Sequence, residues 1–251
     1  MISKSDLEAL AGRYQVSSHP NVLREYFQHI FLSHLYDIPD AKCLLFKGGT
    51  ALRIVYGSPR FSEDLDFSFP SSRTHNLTQI VDHSFVQVLT EIERMGARVE
   101  IGQKTGATTG GYFGIATFRL PEYPAVDVAI NVSSRKKREG GGEMDSIASD
   151  FAPTYNIIHL PQEELVEEKI FGALATRKKP RDFYDLYFIM RKGMLTPPQK
   201  KRLRVMKDQI IAHAKKINFR LELSGFLPSG HQALIRDFTR TLTAELNRQL
   251  F

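Results

Sequence analysis

Three short segments of this chain carry residues whose types and spacing could do chemistry. The first is Lys47-Gly48-Gly49-Thr50, where an apolar run leads into two glycines and a helical pattern follows. Glycines let a phosphate approach the backbone closely. A helix N-terminus offers unpaired N–H groups and a favourable dipole. Thr50 could cap that helix or bond a phosphate oxygen. A tight strand-to-helix turn needs the same residues, and the Gly-x-x-x-x-Gly-Lys-[Ser/Thr] spacing of a P-loop is missing.

The second segment is Ser62-Glu63-Asp64-Leu65-Asp66-Phe67. Read as a strand, it puts Ser62, Asp64 and Asp66 on one face and Leu65 and Phe67 on the other. Two carboxylates about 7 Å apart along one strand face repel each other when bare. A divalent cation between them removes that repulsion, and Mg²⁺ favours one or two carboxylates with waters and substrate phosphate oxygens. A solvent-facing acidic strand edge is the competing reading. Asp127 repeats the pattern: Val126, Val128 and Ile130 alternate with Asp127, Ala129 and Asn131. Aspartate is depleted in strands, so Asp127 is read as a third metal ligand or a base for an attacking hydroxyl, with an edge position as the alternative.

The third segment lies in a helical half. Lys169 falls one turn after Leu165 and one turn before Ala173, at the margin of an apolar stripe where it could aim inward. Asp182 and Asp185 stand at i and i+3 of the next helix, after Arg181. Lys169 and Arg181 could instead pair with these acids and tie the helices together, and the two roles are compatible.

The elements that must position these residues follow from periodicity. Helical spacing covers residues 3–36, broken at Ser17-Ser18-His19-Pro20. Cys43-Leu44-Leu45-Phe46 reads as a buried strand, and 50–56 as a helix stopped by Gly57-Ser58-Pro59. Strand alternation marks 65–69, a helix 77–95, and further strands 98–101, 112–120 and 126–132. The basic, glycine-rich stretch 135–142 is the boundary candidate. Helices follow at about 161–178, 181–191, 197–218 and 231–250. The picture is an α/β core followed by a helical domain.

Composition narrows the setting. The 251 residues include 42% hydrophobic and 25% charged side chains, an ordinary globular mixture that argues against disorder. A single cysteine, Cys43, excludes a disulfide framework, reads as a small core residue and fits a reducing compartment. No stretch approaches the ~20 apolar residues of a membrane span, and the N-terminus lacks the apolar region of a secretory signal. The expectation is a cytoplasmic protein without a membrane partner. Charge is uneven: residues 161–251 carry +8 and the remainder −2. Residues 176–207 hold 11 Lys+Arg and 2 Asp. Such a stretch could track an RNA backbone, with steep salt dependence, or form a solvated helical surface. Tyr184 and Tyr187 could stack a base, although tyrosines at helical spacing more often mark core.

Taken in order, the segments resemble the AbiEii/AbiGii-type (MenT-like) toxin nucleotidyltransferases, a branch of the DNA polymerase β-like superfamily. The residues that carry the resemblance are Phe46-Lys47-Gly48-Gly49-Thr50-Ala51-Leu52, Arg60-Phe61-Ser62-Glu63-Asp64-Leu65-Asp66-Phe67, Lys169, and Arg181-Asp182-Phe183-Tyr184-Asp185-Leu186. The resemblance implies an α+β fold: N-terminal helices at 1–36 on a mixed-sheet nucleotidyltransferase core at 37–150. A basic helical domain at 151–251 would contribute Lys169 and Asp185 to the site. It implies transfer of a nucleoside monophosphate from an NTP with release of pyrophosphate. Gly48, Gly49 and Thr50 would hold the triphosphate, with Lys47, Arg60, Ser62, Arg181 and Asp182 on the nucleotide side. Asp64 and Asp66, with Asp127 as a looser match, would hold Mg²⁺ or Mn²⁺. Lys169 would contact phosphates, and Asp185 would be a further essential acid. The acceptor would be RNA, tRNA in some relatives, and the biological partner an antitoxin. Other readings compete: a protein acceptor, a sugar-nucleotide transferase built on Asp64-Leu65-Asp66, or a basic binding module with a degenerate site.

Overall fold

The structure is a computed structural model that describes residues 2–15, 19–69, 77–134 and 141–250. The expected breaks at Ser17-Ser18 and at 135–140 lie outside the described residues. The chain forms two compact units. One comprises Met1–Gly57 and Phe61–Leu160; the other comprises Ser58–Arg60 and Pro161–Phe251.

In the first unit, α1 (Lys4–Arg13) begins at Ser3, whose hydroxyl accepts from the Asp6 N–H, and buries Leu7, Leu10 and Ala11. Helix α2 (His19–Asp37) buries Val22, Leu23, Tyr26, Phe27, Ile30 and Phe31 as their spacing requires. A 3₁₀ turn, Pro39–Cys43, precedes β1 (Leu45–Lys47) and α3 (Gly48–Ile54). Then come β2 (Leu65–Ser68), α4 (Leu77–Arg94), β3 (Arg98–Ile101), β4 (Gly106–Thr108), β5 (Gly111–Arg119), β6 (Val126–Ser133), β7 (Glu143–Ile147) and β8 (Tyr155–His159). These strands form one mixed sheet in the order β3-β5-β6-β2-β1-β8-β7, with β4 added to β5. The central pairs β1–β8 and β2–β6 are parallel, and β1–β2 is antiparallel. One face carries Phe46, Leu65, Phe67, Val128, Ile130 and Val132, each at most 3% exposed. Helices α2 and α4 pack on the sheet. Phe27 stacks on Phe118 at 4.4 Å, and Phe31 meets the edge of Phe85 at 5.4 Å.

The second unit is helical: α5 (Gln162–Val166), a π-helical segment Glu167–Leu174, α6 (Pro180–Arg191), α7 (Pro197–Ala214), α8 (Phe219–Leu223), α9 (Gln232–Arg236) and α10 (Phe238–Leu250). Proline opens both α6 and α7, where its missing N–H costs nothing. Tyr184 is 1% exposed and stacks on Phe238 at 5.9 Å, while Phe219 lies 4.7 Å from Phe238. Tyr184 is therefore core and no base platform.

Several local expectations change. Cys43 ends the 3₁₀ turn, half-buried, with its thiol on the Asp40 carbonyl, so the buried strand starts only at Leu45. Strand β2 starts at Leu65, just after Asp64, whose carbonyl accepts from the Thr50 hydroxyl. Ser62 and Asp64 thus precede the strand. The β7–β8 hairpin, which straddles residue 150, is not predicted by apolar alternation: β7 is almost wholly exposed. The helix expected over 231–250 breaks at Asp237, whose φ of −129° and ψ of 46° are not helical.

Candidate active site

Strand register places the first cluster. Lys47 of β1 pairs with Asp66 of β2, and Asp66 pairs with Asn131 of β6. Paired residues share a face, so Lys47, Asp66 and Asn131 form a row across three adjacent strands. They lie on the face opposite Phe46, Phe67 and Val132. All three are half-buried. The Asn131 amide Nδ2 donates to Oδ1 of Asp66 at 3.2 Å.

The other carboxylate oxygen of Asp66 meets the glycine turn. Gly48 has φ +83°, and a Cβ added there would lie 2.2 Å from Asp66 Oδ2. The left-handed backbone and the close approach both demand glycine at this position. Thr50 is fully buried and gives its hydroxyl proton to the Asp64 carbonyl. This bond ties the start of α3 to the residue before β2 and sets Asp64 against the turn. Its proton is then committed to the backbone, so Thr50 acts as a tie between the two motifs. Ser62 is half-buried, and its carbonyl accepts from Gln28 Nε2 at 3.1 Å. Glu63 faces Arg24 at 3.6 Å.

Asp127 is not brought to Asp66. It shares the face of Asn131 but lies four residues away along β6, about 13 Å at ordinary strand rise. It is exposed, and its Oδ1 accepts from the Thr117 hydroxyl at 2.6 Å on the neighbouring strand β5. Asn131, and not Asp127, is the β6 residue paired with Asp66. Strand alternation alone marks Asn131 as sharing the face of Asp127. Only the β2–β6 register reveals which of the two meets Asp66.

The second unit holds its own ionic cluster. Asp185 is 1% exposed and accepts from Arg60 Nε at 3.0 Å, from Arg60 Nη2 at 2.9 Å, and from Lys169 Nζ at 2.8 Å. Burial pushes the Asp185 carboxyl up, but the opposing charges of Arg60 and then Lys169 outweigh it and hold it below its ordinary value. Arg60 and Lys169 are themselves only 4% and 9% exposed. Lys169 lies in the π-helical segment, where the extra residue per turn alters the facing read from a 3.6-residue period. Asp182 is separate from this cluster. Its carboxylate accepts from the Lys179 N–H at 2.9 Å, closing the first turn of α6, and takes Arg177 Nη2 at 2.6 Å. The tie expected between Lys169 and an α6 acid is present. Arg177, rather than Arg181, pairs with Asp182, and Arg60 is the second partner of Asp185. Arg181 is half-buried, and its Nε has no hydrogen-bond partner among the described residues.

The residues around Asp66 fit a divalent cation delivered with a nucleotide. Asp64 and Asp66 supply hard oxygen donors, and the missing Cβ at Gly48 keeps the backbone close to Asp66. No group of three His, Cys, Asp or Glu side chains with metal-site geometry occurs among the described residues, which agrees with the distant Asp127. No helix among the described residues is long and apolar enough to cross a membrane.

A family model described as the AbiEii nucleotidyl transferase toxin of type IV toxin–antitoxin systems matches residues 30–249. Two solved Helicobacter pylori structures are similar. One, a candidate nucleotidyltransferase, is 18% identical with a TM-score of 0.59, covering 92% of this chain and 98% of that one. The other, JHP933, is 19% identical with a TM-score of 0.60, covering 92% and 95%. At such identities the likeness bears on the fold, a nucleotidyltransferase architecture with a mixed sheet. No curated protein matches.

Proposed function

Because the chain belongs to the AbiEii family of toxin nucleotidyltransferases, we propose that it moves a nucleoside monophosphate from an NTP to an RNA acceptor of the tRNA class. It does so with Mg²⁺ or Mn²⁺ held by Asp64 and Asp66, in the cytoplasm and under control of a cognate antitoxin. The observation that supports this most directly is the approach of Asp66 to Gly48. It joins the phosphate-type turn and the acidic motif into one place.

The cation, when bound, stabilises the attacking and leaving oxygens of an in-line displacement. The chain's own residues do the rest. Asp64 and Asp66 bring negative charge to the turn. Gly48 and Gly49 let a triphosphate come close to the backbone. Thr50 fixes the turn to Asp64. Lys47, next to Asp66 in the register, adds a cationic side chain on the same face. In the reaction the acceptor hydroxyl oxygen bonds to the α-phosphorus as the bond to pyrophosphate breaks, and the hydroxyl proton leaves to solvent. Within the second unit, Asp185 holds the Lys169 amine in place. The basic surface of α7, with Lys201, Arg202 and Arg204 exposed, supports a polyanionic acceptor.

The test is incubation of the purified protein with total RNA, a divalent cation and each α-³²P-labelled NTP in turn. A labelled band of tRNA size, absent with Asp64→Asn/Asp66→Asn protein, is the expected result. Label on protein would transfer the acceptor assignment to a polypeptide. No label from folded protein with any NTP would overturn the RNA reading.

A further inference from the structure

The second neighbour of Asp66 has no role in the motifs above. Asn131 pairs with Asp66 in the β2–β6 register and donates its amide to Asp66 Oδ1 at 3.2 Å, while Asp66 Oδ2 is the oxygen that faces Gly48. The carboxylate is thus held from both sides, by a side-chain amide on one strand and a bare backbone turn on the other. We propose that Asn131 is a positioning residue: its amide fixes the rotation of the Asp66 carboxylate so that the oxygen beside Gly48 is the one presented to the nucleotide-borne cation.

Three features favour an amide here. A carboxylate in this position would repel Asp66 whenever no cation is bound. A neutral donor instead holds Asp66 oriented in the cation-free protein, so the geometry exists before substrate arrives. Strand β6 is paired on both sides, to β2 and β5, so its backbone is fixed by two ladders. A group carried there is placed more firmly than one on a loop. Partners that hydrogen-bond a metal-ligating carboxylate change metal affinity by about 10- to 100-fold when removed. The site would then hold its cation with two acids and a neutral third neighbour. Such a site depends on phosphate oxygens to complete the coordination, and cation binding by the protein should be markedly stronger with nucleotide than without.

This inference rests on the transferase reading, and one experiment separates the two. Mn²⁺ affinity is measured by electron paramagnetic resonance on the full chain, alone and with ATP, GTP, CTP and UTP in turn. The proteins are wild type, Asp66→Asn, Asn131→Ala and Asn131→Leu, each with a thermal melt. The expected result is nucleotide-enhanced Mn²⁺ binding in wild type that is lost in Asp66→Asn and weakened about tenfold or more in both Asn131 variants. A merely structural Asn131 would lower the melting temperature and leave the affinity of the folded protein unchanged. Wild-type binding that the Asn131 variants retain within about threefold overturns the inference and leaves the transferase reading standing. A wild type that binds no Mn²⁺ with any nucleotide overturns the reading itself. Should Asn131→Leu not fold, the smaller Asn131→Ala carries the comparison.

Discussion

Asp66 and Asp185 are both aspartates in short motifs, yet the two units treat them in opposite ways. Asp66 is half-buried, with a neutral amide, a glycine turn and, in the strand register, Lys47 beside it. Asp185 is buried completely and carries two cations, Arg60 and Lys169. The first arrangement keeps the carboxylate half-open on a strand face. The second meets the negative charge internally and uses it to hold a lysine. The lesson is that an acidic motif says little about role until its counter-charges are known. A carboxylate buried between two cations is a holder, and one half-open on a strand face stays within reach of a ligand.

The contrast can be broken or sharpened in four ways. The largest effect should come from Asp66→Asn. Label transfer should fall by about 10³-fold, on the order of 4 kcal/mol in the barrier, while the melting temperature changes little. A melting temperature that collapses with the activity would make Asp66 a holder too.

Next is Asp185→Asn, which leaves Arg60 and Lys169 buried without their counter-charge. Removing one partner of a buried pair costs about 3–5 kcal/mol, and urea unfolding measures it. The same residue sets an acid limb. Its folded-state pKa lies below the unfolded value, so its stabilisation is present above the ordinary carboxylate range, near pH 4. It is lost as pH falls through the folded value. Wild type should lose stability on acidification below about pH 4, and Asp185→Asn should lack that share of the slope. Equal slopes would remove Asp185 from the account.

Gly48→Ala comes third. The new methyl would sit 2.2 Å from Asp66 Oδ2 at a backbone φ of +83°. A cost of about 1–3 kcal/mol is expected, with weakened Mn²⁺–nucleotide binding. Normal nucleotide affinity in this variant would separate the glycine turn from the acidic site. The smallest effect is at Thr50→Val, which removes one hydroxyl donor to the Asp64 carbonyl. Loss of a buried hydrogen bond with its acceptor left behind costs about 1–3 kcal/mol. Thermal melts should place Thr50→Val at the low end of that range, with transfer reduced but measurable.

Much of this was legible in the linear chain. Alternation marked β2, β5 and β6, helical spacing marked α1, α2, α4 and α6, and both site motifs were visible as glycines and acids at short range. Local periodicity suffices there because one face of each element is buried and the other is not. The hairpin β7–β8 escaped because its first strand is exposed on both faces, so no alternation is imposed on it. The π-helical turns around Lys169 escaped because their spacing departs from the 3.6-residue period on which helix reading depends.

What the sequence by itself determined, then, is which residues can do chemistry and which faces they share. Residue type and short spacing marked Asp64, Asp66 and Gly48 as candidates for nucleotide chemistry, whatever the strand pairing. That Asn131 and not Asp127 stands beside Asp66 was decided only by the parallel register of β2 and β6. The choice of Arg60 as second partner of Asp185, 125 residues away, was likewise decided only by the tertiary structure. Both are long-range pairings, and their physical basis is packing and hydrogen bonding between distant segments, for which local sequence carries no periodic signal.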